Sequence, residues 1–367
     1  MRTLLVTMRR LNGHAAWCSN YEFEDTIRAV DDVDVLELEP APWRAQRQRA
    51  SRSLAWRGIT TGLNPGVKPV ALERDYDLLI FVCMNVWDLL YLNAVAGWRT
   101  RAKVKVCYMV EFYTGQEQEL GPLVAYLSAF DLVTQSFQTS VDTIGRATGR
   151  PCHHVALASD VLRFTPFLDP APRVIDVLSI GRRSEPVHQA LRSTARAGGF
   201  FYLHDTIPGP HVIPANPAEH REMYANQARR AKLFVTYPAK FGADENQGLS
   251  EVGARYYEGA AAGAVLLGQT PTAPAFRVDF PWDGAVVEAK ADGSDAAAVV
   301  KGLLSRPDEL ARRSGRNAIQ ALRRHDWAHR WKALLDLAGL SPRPALTARL
   351  ARLEALASEA ERKGVAA

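Results

Sequence analysis

Residues 245–268 read ENQGLSEVGARYYEGAAAGAVLLG and combine the patterns of a loop, a helix and a strand. A polar loop gives way to a helical pattern from about residue 250 to 262, then to a glycine stop at Gly263 and an apolar run that predicts a buried strand. Arg255 and Glu258 are three residues apart and share one face of the helix. A helix start of this kind offers backbone N–H groups to an anion, as in half of a nucleotide-binding unit. A surface ion pair on an ordinary helix is the alternative.

Apolar runs alternate with helical patterns on both sides of this stretch. Strands are predicted at 2–7, 33–38, 77–83, 102–110, 132–135, 174–180, 200–204, 233–237, 264–268 and 284–289. Such alternation predicts parallel, doubly wound sheets. Three prolines at 166, 170 and 172 indicate a linker. The predicted fold class is α/β, with two Rossmann-like domains at 1–165 and 174–340 joined by the linker 166–173.

The C-terminal segment, 341–367, is rich in Ala, Leu and Arg and predicts a helix from 344 to about 363. Its leucines recur at helical spacing, so one face is expected to be buried. We expect this helix to pack across the hinge or back on the first domain.

Composition limits the class of protein. The chain has 367 residues, 47% of them hydrophobic and 23% charged, which suits a globular protein of two or three domains. The net charge of +5 fits an anionic substrate but is too small to indicate nucleic acid. Four scattered cysteines predict reduced thiols and a cytoplasmic location. No stretch has the roughly 20 apolar residues of a membrane span, so any membrane contact is expected to be peripheral.

Ligands of open α/β sheets bind beyond the carboxyl ends of the strands. In the first domain, His14 follows strand one and is a candidate base or phosphate contact, although a polar loop residue is the alternative. Glu111 ends strand four beside Phe112 and Tyr113, where a carboxylate and rings would suit a sugar. A helix start is the alternative for Glu111.

The second domain supplies cations at the corresponding edge. Gly181 permits close backbone approach, and Arg182 and Arg183 offer planar charged groups to a phosphate. Lys240 follows another strand and could supply a point charge to the same cleft. Gly248, Leu249 and Ser250 lead into the helix that carries Glu258 and are candidate donor contacts. No GxGxxG motif is present, and His153 with His154 lacks the further ligands that a metal site requires.

Residues 40–74 are predicted to be irregular. Five arginines lie between Trp43 and Gly58. This segment reads as a solvated surface or, because of Trp43 and Trp56, as a loop for an acceptor or a membrane surface.

Three passages, in order, resemble GT-B glycosyltransferases of the group 1 or family-4-like type. Residues 158–166 (ASDVLRFTP) are similar to a domain-crossover passage written GVDxxRFxP. Residues 255–267 (RYYEGAAAGAVLL) resemble the segment written RxxEAxACG, and residues 325–330 (HDWAHR) resemble the closing HSWxxR helix. The resemblance covers residues 158–330, whereas the first half is similar only in its alternation.

The resemblance implies roles for particular residues. The carboxylate aligned with Glu258 would bind the ribose of a nucleotide-sugar donor, and Arg182 or Arg183 would hold the diphosphate. The acidic pair of that family is spaced by eight residues, but Glu251 precedes Glu258 by seven and Glu245 by thirteen. We therefore assign the sugar-facing carboxylate to the loop 244–249, which contains Glu245. The usual lysine is missing, so Lys240 or Arg255 is expected to replace it.

The resemblance also implies a function. A sugar would pass from a nucleoside-diphosphate sugar to an acceptor hydroxyl in the interdomain cleft, with the donor as the only bound small molecule and no metal. The acceptor could be a saccharide, a glycolipid, a protein or a small natural product. Retention at the anomeric carbon is preferred, and inversion follows if His14 or Glu111 is a base.

Two alternatives to this function stay open: a nucleotide-sugar epimerase of the same fold and a non-catalytic nucleotide-sugar-binding or scaffold protein. The same expectations make Glu258 a ligand-binding residue on a helix surface. On that basis Glu258→Ala should weaken donor binding and leave the melting temperature nearly unchanged.

Overall fold

The computed structural model describes residues 1–206, 212–239, 241 and 250–365. The first half is built on a six-stranded parallel sheet in the order β2-β1-β4-β6-β7-β8. Its strands are β1 Thr3–Thr7, β2 Val33–Glu37, β4 Tyr76–Cys83, β6 Ala102–Met109, β7 Leu132–Gln135 and β8 Cys152–His154, and a separate short pair is formed by β3 Val70–Ala71 and β5 Val95–Ala96. Its helices are α1 Cys18–Val30, α2 Arg44–Trp56, α3 Gln116–Glu119, α4 Gly121–Tyr126, α5 Val141–Thr148 and α6 Val161–Phe164.

The second half contains a five-stranded parallel sheet in the order β10-β9-β11-β12-β13. Its strands are β9 Ile175–Ser179, β10 Tyr202–His204, β11 Ala231–Thr236, β12 Val265–Gly268 and β13 Val286–Glu288. The helices are α7 Glu185–Arg196, α8 Pro217–Arg229, α9 Ala254–Ala261, α10 Ala275–Asp279, α11 Ala296–Leu304, α12 Pro307–Arg324, α13 Trp327–Leu337 and α14 Pro344–Arg362. Both halves therefore have the predicted α/β architecture.

The central strands are largely apolar because helices cover both faces of each sheet. β1, with the sequence TLLVT, is buried at all five positions. One hydrophobic cluster contains side chains from both halves of the chain. Within it, the rings of Phe23 on α1 and Trp327 on α13 stack with their centroids 4.7 Å apart. The two halves consequently share part of one core.

The carboxyl edges of the two sheets face each other. The backbone N–H of Ala15, after β1, donates to the carbonyl of Val212, after β10, at 2.8 Å. The Oγ1 of Thr139, after β7, donates to Glu251, which lies between β11 and α9, at 2.6 Å. Because these residues all follow the carboxyl ends of strands, the carboxyl edges of the two sheets meet where the two halves contact each other.

Residues 44–56 form a helix, so the prediction of an irregular segment is wrong there. The segment was missed because it lacks an apolar face: only Ser51 and Ala55 are buried. Its Arg, Ala and Gln residues have good helix propensity, which periodicity of apolar residues does not detect.

The C-terminal helix α14 packs beside α12 and also contacts α1 and α13. Arg349 on α14 donates to Asp160 at the crossover at 2.6 Å and to Asp326, before α13, at 2.7 Å. Arg343, before α14, pairs with Asp31 at the end of α1 at 2.9 Å. The helix thus touches elements of both halves.

Candidate active site

Glu258 lies on α9 and is fully buried. Its Oε1 accepts a hydrogen bond from Arg221 Nη1 at 2.5 Å, and its Oε2 accepts from Arg255 Nη1 at 2.5 Å and from the Tyr224 hydroxyl at 3.1 Å. Burial acts to raise the pKa of Glu258, but Arg255 and Arg221 outweigh it and hold the pKa at about 2. The carboxylate is therefore ionised at neutral pH and held by three donors.

Arg255 connects Glu258 to the loop after β9. Its Nε donates to the carbonyl of Ile180 at 3.0 Å, and its side chain is 31% exposed. Gly181 has a φ of +85°, and a Cβ at Gly181 would lie 3.1 Å from Arg255 Nη2. Glycine thus allows both the backbone turn and the close approach of the guanidinium. Three of the predicted donor residues, Gly181, Arg255 and Glu258, are brought together at the carboxyl edge.

The two arginines after Gly181 differ in their surroundings. Arg183 donates to the Asp205 carboxylate at 2.9 Å and to the Asp205 carbonyl at 3.1 Å. The same carboxylate accepts from the backbone N–H of Gly181 at 2.7 Å, so Asp205 orders this loop. Arg182 is exposed, and no hydrogen bond or ion pair engages it within the described part of the chain. Arg182 is the cation available to a ligand, whereas Arg183 already has a carboxylate partner.

His14 precedes the short 3₁₀ helix Ala15–Trp17. Its Nδ1 accepts a hydrogen bond from the backbone N–H of Ala16 at 3.0 Å, so in the neutral ring the proton resides on Nε2. Nε2 is buried and has no partner among the described residues. In this state His14 offers a hydrogen-bond donor, rather than the free lone pair of a general base.

Glu111 lies just beyond β6 and is half-buried, and its backbone N–H donates to the carbonyl of Met84 at 2.6 Å. Phe112 and Tyr113 are buried, and Tyr113 packs against Phe137 with ring centroids 5.0 Å apart. The expectation that these two rings flank a sugar is therefore wrong, because both belong to the core.

The loop before α9 is only partly described. Lys240, Glu245, Gly248 and Leu249 lie outside the described residues. Ser250 exchanges hydrogen bonds with Thr272, after β12, and makes no described contact with Glu258.

Glu251 is buried and faces the first half of the chain. One of its oxygens accepts from the backbone N–H and the hydroxyl of Thr139, and the other has no partner among the described residues.

Sequence reasoning missed Arg221, Tyr224 and Glu22, which surround Glu258 or hold its partners. Arg221 is 4% exposed and also binds Glu22 of α1. One feature of the sequence could have indicated Glu22. It lies at helical spacing between Cys18 and Thr26, on a face of α1 that is buried, and a carboxylate on such a face needs a partner.

Residues 183–336 match the family model described as glycosyl transferase-like. The second half of the chain carries a glycosyl transferase-like domain. No curated protein sequence matches the chain significantly. The predicted enzyme class, a glycosyltransferase, is confirmed by this domain match.

Solved structures similar to the whole chain include HepE of Anabaena in complex with UDP-glucose. It is 12% identical, with a TM-score of 0.52 over 92% of this chain and 99% of HepE. An alpha-glucosyltransferase in complex with UDP-glucose and DNA containing an abasic site is 12% identical, with a TM-score of 0.53 over 92% of this chain and 99% of that enzyme. At these identities the likeness shows the fold, and the predicted GT-B fold with two Rossmann-like halves is confirmed.

No cluster of three or more His, Cys, Asp or Glu side chains among the described residues is arranged to hold a metal ion. Among the same residues, no helix combines the length and apolarity needed to cross a bilayer. A cavity of about 600 Å³ lies between the linker and α12, lined by Phe167, Arg173 and Leu310. Because Arg173 binds the carbonyl of Ala231, where β11 begins, this cavity is at the amino edge of the sheet, away from Glu258.

Proposed function

We propose that the protein transfers a sugar from a nucleoside-diphosphate sugar to an acceptor hydroxyl. The observation that carries the proposal is the ionised Glu258 with Arg255 beside Gly181, at the carboxyl edge of the sheet inside the matched domain. The Glu258 carboxylate already accepts three hydrogen bonds, and a diphosphate that draws Arg255 away would free acceptor positions on it for ribose hydroxyls. Arg255 and Arg182 supply positive charge for the diphosphate. The UDP-glucose bound by HepE and by the alpha-glucosyltransferase supports UDP as the nucleotide.

We assign the donor to residues 174–340 and the acceptor to residues 1–165, with the linker 166–173 between them and the helix of 341–367 joining both halves. The acceptor oxygen bonds to the anomeric carbon as the bond from that carbon to the phosphate oxygen breaks, and the hydroxyl proton passes to the departing phosphate oxygen. The electron pair of the broken bond stays on the departing diphosphate, whose charge Arg255 and Arg182 stabilise. No residue of this chain is assigned a metal in this step.

The state of His14 favours retention of configuration. An inverting enzyme needs a base on the acceptor side to take the hydroxyl proton. With Nδ1 occupied by the Ala16 N–H, Nε2 of His14 carries a proton and serves as a donor to substrate. If transfer inverts the configuration instead, Glu111 is the remaining acceptor-side candidate for the base. Glu245 in the loop 244–249 is the candidate carboxylate toward the sugar.

We also propose that the acceptor is met at an anionic membrane surface, through what we term the basic face of α2, formed by Trp43, Arg47, Arg49, Trp56 and Arg57. The two tryptophans are 73% and 58% exposed. The three arginines are exposed, and none has a carboxylate partner among the described residues.

The charge of the chain is concentrated at this face. Residues 40–72 contain six basic residues and no acidic one, so they carry +6, and the remaining residues sum to −1 of the net +5. Exposed aromatic rings beside arginines suit the boundary between headgroups and acyl chains. Arg44 at the start of α2 donates to Asn12, two residues before His14, at 3.3 Å, which supports a position of this face near the loop that carries His14. A cytoplasmic location at the inner membrane face is consistent with these features.

Vesicle binding tests the membrane proposal. Arg47→Glu/Arg49→Glu should abolish sedimentation with vesicles containing phosphatidylglycerol, because each arginine near such a surface contributes about 1 kcal/mol. The control Arg146→Glu/Arg196→Glu alters two exposed arginines elsewhere and should leave binding intact. Equal binding to phosphatidylcholine alone, or binding to duplex DNA in place of vesicles, would contradict a membrane surface. The expectation of no nucleic-acid partner stays a prediction.

An assay of sugar transfer tests the main proposal. With UDP-glucose labelled in the sugar, rapid UDP release should require an acceptor and should place the label on that acceptor. Conversion of the labelled sugar without an acceptor would identify an epimerase instead. Nucleotide binding without turnover over a panel of saccharide, glycolipid and peptide acceptors would favour the non-catalytic alternative.

A further inference from the structure

Arg221 of α8 lies between two carboxylates that belong to different halves of the chain. Its Nε and Nη2 donate to the two oxygens of Glu22 on α1, at 3.1 and 2.9 Å. Its remaining amino group, Nη1, donates to Glu258 at 2.5 Å. All three side chains are at most 5% exposed. One guanidinium thus joins the first half of the chain to the carboxylate proposed to bind the donor.

Glu22 is a fixed anchor for this guanidinium. Its Oε2 also accepts hydrogen bonds from the backbone N–H of Asp160 at 2.9 Å and from the indole N–H of Trp327 at 3.2 Å. These donors come from the crossover and from the start of α13, so four separate segments of the chain meet at one carboxylate. Movement of Glu22 would require several buried hydrogen bonds to break together, and each would leave a buried polar group unpaired.

Glu258, in contrast, has only side chains as hydrogen-bond partners among the described residues. Its carboxylate is oriented by Arg221, Arg255 and Tyr224, and Arg255 is partly exposed. A diphosphate that attracts Arg255 would leave Arg221 and Tyr224 as the groups that keep Glu258 in place. The planar fork of Arg221 can orient Glu258 only while Glu22 fixes the other side of the same plane.

We infer that Arg221 is a positioning residue for Glu258 and that Glu22, on the opposite half, determines the position of Arg221. This inference rests on the proposed function, because it takes Glu258 as a donor-binding group. It makes donor affinity depend on a side chain of the acceptor half. When Glu22 loses its charge, Arg221 is no longer divided between two carboxylates and moves toward Glu258. The closer contact reduces the capacity of Glu258 to accept hydrogen bonds from ribose hydroxyls.

The same helix provides a matched control. Glu24 is also buried on α1 and also binds an arginine, Arg9, at 2.9 Å, together with the hydroxyl of Thr7 at 2.6 Å. No described contact joins Glu24 to Arg221 or Glu258. Glu22→Gln and Glu24→Gln are isosteric changes at similar burial. Burial raises the pKa of Glu24 to about 7, so the variants are compared at about pH 8.5, where Glu24 is ionised. Under these conditions both test the loss of a buried carboxylate, and only Glu22→Gln tests the connection to Glu258.

Calorimetric titration with UDP distinguishes a positioning role of Glu22 and Arg221 from a purely structural one. It is carried out on variants shown by circular dichroism to be folded. We expect Glu22→Gln to weaken UDP affinity about tenfold, the size of effect found for residues coupled to a site they do not touch. Glu24→Gln should stay within about twofold of the wild type, even where it lowers the melting temperature. Arg221→Lys keeps the charge and loses the fork, and should weaken binding about as much as Glu22→Gln. The double variant should be no weaker than the worse single variant, because both act through one connection.

The outcomes separate this inference from the proposed function. Wild-type affinity in Glu22→Gln, or equal losses in Glu22→Gln and Glu24→Gln, would overturn the positioning role while donor binding stands. Independent, multiplying losses in Glu22→Gln and Arg221→Lys would overturn it as well. A wild-type protein that binds none of UDP, GDP, ADP and TDP would overturn the proposed function, and this inference with it.

Discussion

Nη1 of Arg221 donates a hydrogen bond to Oε1 of Glu258 at 2.5 Å, and both side chains are almost completely buried. A pair of this kind is coupled to folding as well as to binding. Removal of one partner leaves the other charged, buried and unpaired, which lowers the free energy of unfolding by about 3–5 kcal/mol.

For Glu258→Ala we therefore expect a loss of about 3 kcal/mol in the free energy of unfolding. The sequence alone led to the opposite expectation, a nearly unchanged melting temperature, because an i,i+3 ion pair on a helix is ordinarily exposed. Chemical denaturation measures the difference. Wild-type stability in this variant would show that the site is open to water.

Acid unfolding provides a second measurement on Glu258. Its pKa of about 2 in the folded protein lies below the ordinary 4.5, so the folded state favours the ionised form. The resulting stabilisation is fully present above pH 4.5 and is lost as the pH falls toward 2. The stability difference between the wild type and Glu258→Gln should accordingly shrink across this range. A difference that is constant from pH 6 to about pH 2 would contradict the ion pairs.

Arg255 should matter more for binding than for folding. Its side chain is 31% exposed, so Arg255→Ala lets water reach the groups it leaves behind. Loss of a charge-assisted contact to a phosphate costs about 1.5–3 kcal/mol, or roughly 10- to 100-fold in UDP affinity. Titration of Arg255→Ala beside the surface control Arg196→Ala measures this effect. Unaltered affinity in Arg255→Ala would remove it from the donor site.

Whether a residue of this site could be predicted depends on how far it lies along the sequence from its partners. Gly181, Arg255 and Glu258 could be predicted because each lies at a strand end or on one helical face, where local spacing determines position. Arg221 and Glu22 are 199 residues apart, and only tertiary packing brings them together. The prediction that Phe112 and Tyr113 flank a sugar failed for a related reason. Aromatic rings at a strand end can point toward a ligand or toward the core, and local spacing does not distinguish the two orientations. The helix α2 escaped detection because it has no apolar face.

His325 is predicted to make the protein sensitive to mild acid. It is fully buried, and both ring nitrogens lack a hydrogen-bond partner among the described residues. The ring centroids of Tyr257 and Phe280 lie 5.0 and 4.6 Å from that of His325. Burial, with a contribution from Arg330, lowers the pKa of His325 well below its ordinary value.

The stabilisation that follows from neutral His325 is present above about pH 6.5 and is lost as the pH falls below it. His325→Phe should therefore hold its melting temperature better than the wild type between about pH 6.5 and 5. Parallel losses in the two proteins would contradict this account.

The C-terminal helix offers a comparison between a buried and an exposed ion pair. Arg349 binds the fully buried carboxylate of Asp326, so Arg349→Ala should lower stability by about 3 kcal/mol. Arg323 binds the exposed Glu354 and Glu361 of α14, so Arg323→Ala should cost at most about 1 kcal/mol. Equal losses, measured by denaturation, would show that α14 is not held to the crossover through Arg349.

Calorimetric titration of the wild-type protein with UDP, GDP, ADP and TDP, repeated with Arg255→Ala, tests whether the carboxyl edge around Glu258 binds a nucleoside-diphosphate sugar. We predict one site per chain, a preference for UDP, and a loss of affinity in Arg255→Ala. Failure of all four nucleotides to bind, or binding that Arg255→Ala leaves unchanged, would contradict a donor site at this edge.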